Sequence, residues 1–322
     1  MPFIYLIKRT ANMSWQPSSS IETLQARAKF NGYIREFFAL RGVMEVETPV
    51  LSQAGVNDAN LQPVVASCCD KKSYLQTSPE YPMKRLLAAG SGDIYQICKT
   101  FRDGELGTRH NPEFTMLEYY RQNFDLKTLM DEVAQLVGDY LMIQARRDIS
   151  YEQAFKQYAQ LDVFNETDEA LRQRVTEFVG PDLELSRDES LDIIMSHVVE
   201  PNLPKDCLVF IYEYPASQAA LAKVFTDQNG IQKAKRFELY VNGLELANGY
   251  HELTDPKEQT ERFDHQAALR ERSQLEDVNF LQALEQGLPD CSGVAIGLDR
   301  ILMLKLGLSD IASVLSFDFS RA

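Results

Sequence analysis

Residues 101 to 120 read FRDGELGTRHNPEFTMLEYY. If 113–121 forms a strand, its period of two puts Phe114, Met116, Glu118 and Tyr120 on one face and Thr115, Leu117 and Tyr119 on the other. One face then carries an aromatic plate, a carboxylate and a phenol. A carboxylate flanked by apolar side chains has to be paired or solvated, and a ligand cation is a natural partner; core aromatics beside a solvated edge acid are the plain alternative. Arg102 follows the preceding strand, where its planar donor fork can bridge a carboxylate and a phosphate in a way lysine does not match. A surface pair with Asp103 or Glu105 is its plain reading. Arg300 opens a helix after Gly297-Leu298-Asp299, a stretch that allows close backbone approach. Glu245 and Glu252 lie in LELANGYHEL, and two carboxylates can hold Mg²⁺ together with phosphate oxygens. Their odd separation puts them on opposite faces of an unbroken strand, so sharing a metal requires a bulge, which is cheapest at Asn248-Gly249.

The elements that position these residues follow from periodicity and punctuation. Ser19-Ser20-Ile21-Glu22 has the form of a capping box, and Ile21, Leu24, Ala28, Ile34, Phe37 and Phe38 recur near helical spacing until Gly42. VMEVETPVL is β-prone and breaks at Pro49, which suits an edge strand. Ser78-Pro79-Glu80 offers an N-cap, a first-turn proline and a first-turn acid for a helix that stops near Gly90. Strands are expected at 93–101, 113–121 and 207–214, and helices at 127–143, 188–199, 256–274 and 277–286. AKRFELYV and LELANGYHEL flank Asn242-Gly243, the strongest short hairpin signal. GVAIGLDRILMLKLG reads as a strand running into a helix. Antiparallel hairpins surrounded by helices predict an α+β fold.

Composition narrows the function classes. The 322 residues are 44% hydrophobic and 25% charged, and no apolar run is long enough to span a bilayer. The start, MPFIYLIKRTANMSW, reverses the charge order of a secretory signal, so residues 1–17 are expected to be a poorly ordered leader, with Met13 a candidate true start. Five cysteines without CxxC spacing predict neither a disulfide framework nor a zinc site and suit a reducing cytoplasm. A net charge of −14 disfavours a phosphate backbone as partner. The four histidines show no ligand spacing, and Walker, GxSxG and GxGxxG motifs are missing, so phosphate handling must rest on arginines.

Taken together, RGVMEVETPVL, FRDGELGTRHNPEFTMLEYY and GVAIGLDR resemble the three ordered signatures of class II aminoacyl-tRNA synthetases, and TSPEYPMKRLL and ELANGYHELTDPKEQTERF are similar to the lysyl-tRNA synthetase branch. The resemblance covers roughly residues 18 to 318 and implies a six- or seven-stranded antiparallel sheet flanked by helices, with a homodimer formed through the first signature. Residues 18–322 are then one catalytic domain, within which the more variable 144–205 reads as an insertion or accessory subdomain. The first signature begins so near the N-terminus that no room is left for an anticodon-reading OB-fold. This resembles the truncated paralogues that attach β-lysine to a lysine side chain of translation elongation factor P, and implies that protein, not tRNA, as acceptor.

The same resemblance implies ATP and Mg²⁺ and assigns roles. Arg102 would hold the α-phosphate and the substrate carboxylate, Phe114 would stack on adenine, and Arg300 would grip the γ-phosphate, with Asn111, Leu246 and Gly297 beside the nucleotide. Glu245 and Glu252 would meet Mg²⁺ or substrate. Glu118 and Tyr120 would bind the distal ammonium, while Ser78, Glu80 and Asn248 would surround the reacting end. Two departures stand out. Lysyl-tRNA synthetases read FRNEG where this chain has FRDGE, so the adenine-edge contact falls at Gly104 and is expected to shift to Glu105 or His110. Ala295 replaces a glycine, and its methyl in the substrate pocket would favour a differently placed amine. A truncated lysyl-tRNA ligase, a ligase of free small-molecule amides and a non-catalytic regulatory paralogue remain as rival readings; retention of Arg102 and Arg300 argues against the last.

Overall fold

The structure, a computed structural model, describes residues 15–55, 61–180, 184–268 and 277–322. Helix α1 (Ile21–Ala39) leads to the short strand β1 (Met44–Glu45). A small three-stranded antiparallel sheet follows, built from β2 (Leu51–Ser52), β3 (Val65–Cys68) and β4 (Lys71–Leu75). The main elements are then α2 (Glu80–Ala88), β5 (Ile94–Phe101), β6 (Glu113–Gln122), α3 (Leu126–Leu141), β7 (Arg146–Ser150), α4 (Tyr151–Ala154), α5 (Asp168–Val179), α6 (Arg187–Ile194), β8 (Leu208–Pro215), β9 (Val224–Thr226), β10 (Gln232–Val241), β11 (Leu244–His251), α7 (Pro256–Ala268), α8 (Val278–Gly287), β12 (Cys291–Gly297) and α9 (Leu298–Leu306).

The central sheet runs β1-β5-β6-β12-β11-β10-β8-β7, with β9 paired to β10. Its nine strands among the described residues exceed the expected six or seven, because β1 and β7 join the two edges by parallel pairing and β9 pairs with the first three residues of β10, while the centre is antiparallel. The fold is α+β, as the hairpins and intervening helices predict. Asn242 and Gly243 take φ of 55° and 73°, and Val241 pairs with Leu244 across this two-residue turn.

One face of the sheet buries the main core beneath α1, α3 and α9. Phe30, Ile34, Phe38, Leu129, Val133, Phe237, Val294 and Ile296 are 0–2% exposed there, and each such burial contributes about 1.5–3 kcal/mol. The other face is covered only at its two ends. At one end α4, α5 and α6 enclose Tyr151, Leu171, Ile194 and Tyr214, so the segment 144–205 supplies strand β7 and a helical cover with its own apolar core. At the opposite end α2 and α8 stack Tyr81 on Phe280, with ring centroids 4.4 Å apart, next to Ile94, Tyr120 and Cys291. Between the two covers the sheet face is left as a trough.

Several local expectations shift. The N-cap of α1 is Ser20, whose hydroxyl accepts the Thr23 amide, whereas Ser19 is buried; the cap lies one residue later than the pattern suggests, and with Thr23 at N3 the reciprocal half of a capping box is not made. Ile21 and Ala28 of the apolar run are not buried, and the buried stripe is carried by Phe30, Ile34, Phe37 and Phe38. The N-cap of α2 is Pro79, not Ser78; the Ser78 hydroxyl accepts the Glu80 amide at 3.4 Å. Of the expected leader, residues 15–17 lie within the described range, and the Gln16 and Pro17 carbonyls accept from Arg321. Residues 269–274 of the helix expected at 256–274 lie outside it.

The start of α9 is fixed by a buried ion pair that local sequence patterns do not reveal. Asp299 Oδ2 accepts the Thr115 amide at 2.7 Å, and its other oxygen pairs with Arg27 of α1, which also donates to the Val314 carbonyl. With Asp299 2% exposed, removing one partner leaves the guanidinium without its counter-charge. Asp299→Ala is therefore expected to lower unfolding stability by about 3–5 kcal/mol; an unchanged midpoint in urea denaturation would contradict this.

Candidate active site

The trough is floored by cross-strand rows of side chains. One row is Gln96, Glu118, Ala295, Asn248 and Glu238, paired in succession across β5, β6, β12, β11 and β10. The next is Ile94, Tyr120, Gly293, Tyr250 and Arg236. These registers put Phe114, Met116, Glu118 and Tyr120 on the trough face, as period two requires, with Tyr119 on the opposite face in the main core. Gly293 is needed beneath the Tyr120 ring: a β-carbon there would lie 2.3 Å from the ring edge and 2.6 Å from Glu252 Oε1.

Register also moves the bulge. Leu239 pairs with Ala247 but Tyr240 pairs with Glu245, so Leu246 is the extra residue, and Asn248-Gly249 is regular strand. The slip turns Glu245 to the same face as Asn248 and Glu252, because Tyr240 and Glu238, their neighbours on β10, share a face. It does not bring Glu245 and Glu252 together. Glu252 pairs with Lys84 at 2.6 Å, whereas Glu245 pairs with Arg300 at 3.4 Å. Burial, then the charge of Glu238 two residues along β10 from Tyr240, raises the Glu245 pKa, and Glu200 is a third carboxylate within electrostatic reach. Burial, then Glu245 and Glu238, push Glu200 up to about 7. Both Glu238 oxygens are already engaged, one by Arg236 and the other by the Tyr214 and Tyr240 hydroxyls, so Glu238 is not free to take a cation beside Glu245. Leu246, assigned to the nucleotide, buries its side chain in the main core.

At the Arg300 end the chain gathers Arg300, His110 and Arg102. Arg300 Nη1 donates to the Glu245 carbonyl at 2.9 Å, and Nη2 donates to His110 Nε2 at 2.7 Å. Burial and the charge of Arg300 depress the His110 pKa, which keeps the ring neutral and able to accept. The Arg102 guanidinium lies 5.1 Å above the Phe114 ring and 3.5 Å from Glu105, while its buried Nε has no hydrogen-bond partner. An orphaned donor on an arginine beside a second arginine fits a polyphosphate. Gly104, with φ of +84°, makes the turn after Arg102 that brings Glu105 back to it. Asn111 plays a structural part instead. Its side-chain amide donates to the Glu113 carbonyl and accepts the Phe319 amide, so it pins the C-terminal segment to this loop. Gly297 is the N-cap of α9 and pairs with Met116.

At the other end lies a buried acid cluster. Glu80 from α2, Glu118 from β6 and Glu252, just past β11, are accompanied by Tyr120 and by Lys84, which lies in the TSPEYPMKRLL stretch without an assigned role there. Lys84 is 1% exposed and bonds Glu80 at 2.6 Å and Glu252 at 2.6 Å. Burial alone would depress its pKa, but Glu252 and Glu80 more than reverse that and hold the ammonium protonated. Tyr120 donates to Glu118 Oε1 at 2.6 Å, and Glu118 Oε2 has no hydrogen-bond partner. Burial, reinforced by Glu80, pushes Glu118 up to about 8; burial likewise lifts Glu252 to about 7 against the pull of Lys84. Asn248 sits midway along the trough, where its side-chain oxygen accepts from Arg236 Nε at 3.3 Å. Arg236 in turn pairs with Glu238 at 2.5 Å.

A strand face that joins an arginine-lined end to a buried acid pocket, on an antiparallel sheet closed by the strand-to-helix GLDR corner, is the catalytic architecture of one synthetase class. The chain belongs to the class II tRNA synthetases of the D, K and N type, whose family model matches residues 5–321. Curated proteins similar to it include the elongation factor P–(R)-β-lysine ligases of Salmonella gallinarum, Salmonella dublin and Salmonella enteritidis PT4. Each is 46% identical over 322 residues, an alignment that spans 96% of this chain and 98% of the relative.

Proposed function

We propose that this chain is an ATP-dependent, AMP-forming ligase that activates (R)-β-lysine and transfers it to a lysine side chain of translation elongation factor P. The observation that carries the reading is the orphaned, buried Glu118 carboxylate beside Tyr120, a site that awaits an ammonium at the far end of an arginine-lined trough. The near full-length similarity to ligases of that name selects the amino acid and the acceptor.

In the first step a carboxylate oxygen of β-lysine attacks the α-phosphorus of ATP, the bond to the β-phosphate oxygen breaks, and pyrophosphate leaves. Arg102 stands where it can bind both the attacking carboxylate and the α-phosphate, and Arg300 where it can hold the terminal phosphates. Mg²⁺, when bound, would add positive charge to the phosphates, with Glu245, beside Arg300, as the side chain to hold it. Glu118, Tyr120 and Glu252 anchor the amines, which fixes the carboxylate at the Asn248 end. In the second step the neutral amine of the acceptor lysine attacks the adenylate carbonyl, AMP departs and the amine nitrogen loses its proton.

The deciding experiment is mass spectrometry of purified elongation factor P after incubation with this protein, ATP and each lysine isomer. A gain of one lysyl residue with (R)-β-lysine is expected; acylated tRNA with unmodified elongation factor P would overturn the reading. A cytoplasmic location accords with it, and no helix among the described residues is long and apolar enough to cross a membrane. A homodimer through the first signature would cover Ile21, Leu40 and Met44, which are 59%, 79% and 48% exposed.

Ala295 lies between Glu118 and Asn248 in the trough-floor row, so its methyl borders the space between the two ends of the amino acid. Ala295→Gly is expected to shift the ratio of kcat/KM for (R)-β-lysine over α-lysine towards α-lysine by about tenfold, the usual reach of a single methyl group. ATP–pyrophosphate exchange with the two isomers measures it, and an unchanged ratio would sink the idea.

A further inference from the structure

Lys84 has no place in the chemistry of either step, yet it is fully enclosed in the amine pocket. Its ammonium touches Glu80 and Glu252 at 2.6 Å each, and the Phe280 ring lies 5.9 Å away on the apolar side. A buried lysine is tolerated only with a counter-charge, and one carboxylate would be enough for that. Here two are gathered on it, from α2 and from the end of β11, while the third acid, Glu118, is left to the phenol of Tyr120.

Charge counting gives this arrangement a meaning. With their cations in place, Glu80, Glu118 and Glu252 carry three negative charges and Lys84 returns one, which leaves two. We propose that Lys84 is a positioning and specificity residue: as a built-in ammonium it occupies one of the cation positions among the three acids and leaves the pocket complementary to an amino acid with two ammonium groups. The inference deepens the proposed function and rests on it for the class of substrate. Without Lys84 the acids are free to turn away from each other, and the pocket must take up a proton or an extra cation before a diamino acid balances it.

Two variants test this, Lys84→Met and Lys84→Ala, assayed by amino-acid-dependent ATP–pyrophosphate exchange with circular dichroism as the check on folding. Lys84→Met is expected to raise KM for the diamino acid about 100-fold, the scale set by leaving a buried charge unpaired, with KM for ATP unchanged. Lys84→Ala is expected to lose the same affinity and to regain it when ethylammonium is added, but not when propanol is added. An unchanged KM in Lys84→Met, rescue by propanol as good as by ethylammonium, or failure of Lys84→Ala to fold even in ethylammonium would each overturn the proposal, the last two by making Lys84 a packing residue. If the wild-type protein activates α-lysine and not β-lysine, the proposed function falls, while the Lys84 test proceeds on α-lysine, which bears the same two ammonium groups.

Discussion

Arg102→Ala is expected to abolish β-lysine-dependent ATP–pyrophosphate exchange, a loss of about 10²- to 10³-fold, or about 3–4 kcal/mol of transition-state stabilisation, by analogy with other preorganised anion donors. The side chain is poised for that role and little used for any other. Its contacts are a 3.5 Å pair with Glu105 and a guanidinium–ring distance of 5.1 Å to Phe114, and contacts of this kind contribute about 1 kcal/mol or less to stability. Its buried Nε donates to nothing among the described residues. The variant should therefore melt near the wild-type temperature while losing the first step. Arg102→Lys should recover little, because a point charge cannot meet a carboxylate and a phosphate along two parallel donors. Retained exchange in Arg102→Ala would refute the assignment, and a collapse in melting temperature would recast Arg102 as a structural residue.

What sequence could reveal about this site divides along physical lines. Glu118 and Tyr120 were legible because a period of two is a property of the strand itself, and the structure joins them at 2.6 Å as that period demands. The hairpin at Asn242-Gly243 was legible for the same reason, since the turn chemistry is local. The bulge was not: it sits at Leu246, set by which residue of β10 faces Glu245, and Asn248-Gly249 only looked the cheaper place. Lys84 escaped because its significance lies in meeting Glu252, a residue on a distant strand, whereas in its own helix it is an ordinary i,i+4 partner of Glu80. Asn111 misled in the opposite sense, since a polar residue within a signature loop turned out to anchor Phe319. Apart from the helix expected at 188–199, the segment 144–205 was hard to read, in part because α4 and α6 are short and run on into π-helical turns at Phe155–Ala159 and Met195–Val199, which blur a 3.6 period.

Glu118→Gln separates stability from binding, because in wild-type protein the two pull on this side chain in opposite directions. Burial and the nearby Glu80 raise its pKa to about 8 in the folded chain, against about 4.3 in an unfolded one. A carboxyl whose folded pKa is raised keeps a proton that the unfolded chain has released. Between about pH 4.3 and 8 its contribution to stability therefore falls as pH rises, and above 8 the whole penalty is present. A bound ammonium reverses the preference, since an opposite charge beside Glu118 favours the carboxylate. Binding then expels a proton below pH 8, and affinity for β-lysine should climb by up to about tenfold per pH unit from 6 towards 8 and level off above it. Glutamine retains the acceptor for Tyr120 and removes the charge. The variant should be at least as stable as wild type at pH 8, bind β-lysine about 100-fold more weakly through loss of a buried charge pair, and lose the slope between pH 7 and 8, leaving only the one below 7 that Glu252, itself lifted to about 7, contributes. Calorimetric titration in buffers of different ionisation enthalpy reads both the affinity and the proton released. An unaltered affinity, or an undiminished slope between pH 7 and 8 in Glu118→Gln, would take the amine away from Glu118, with Glu80 and Glu252 as the remaining acids able to hold it.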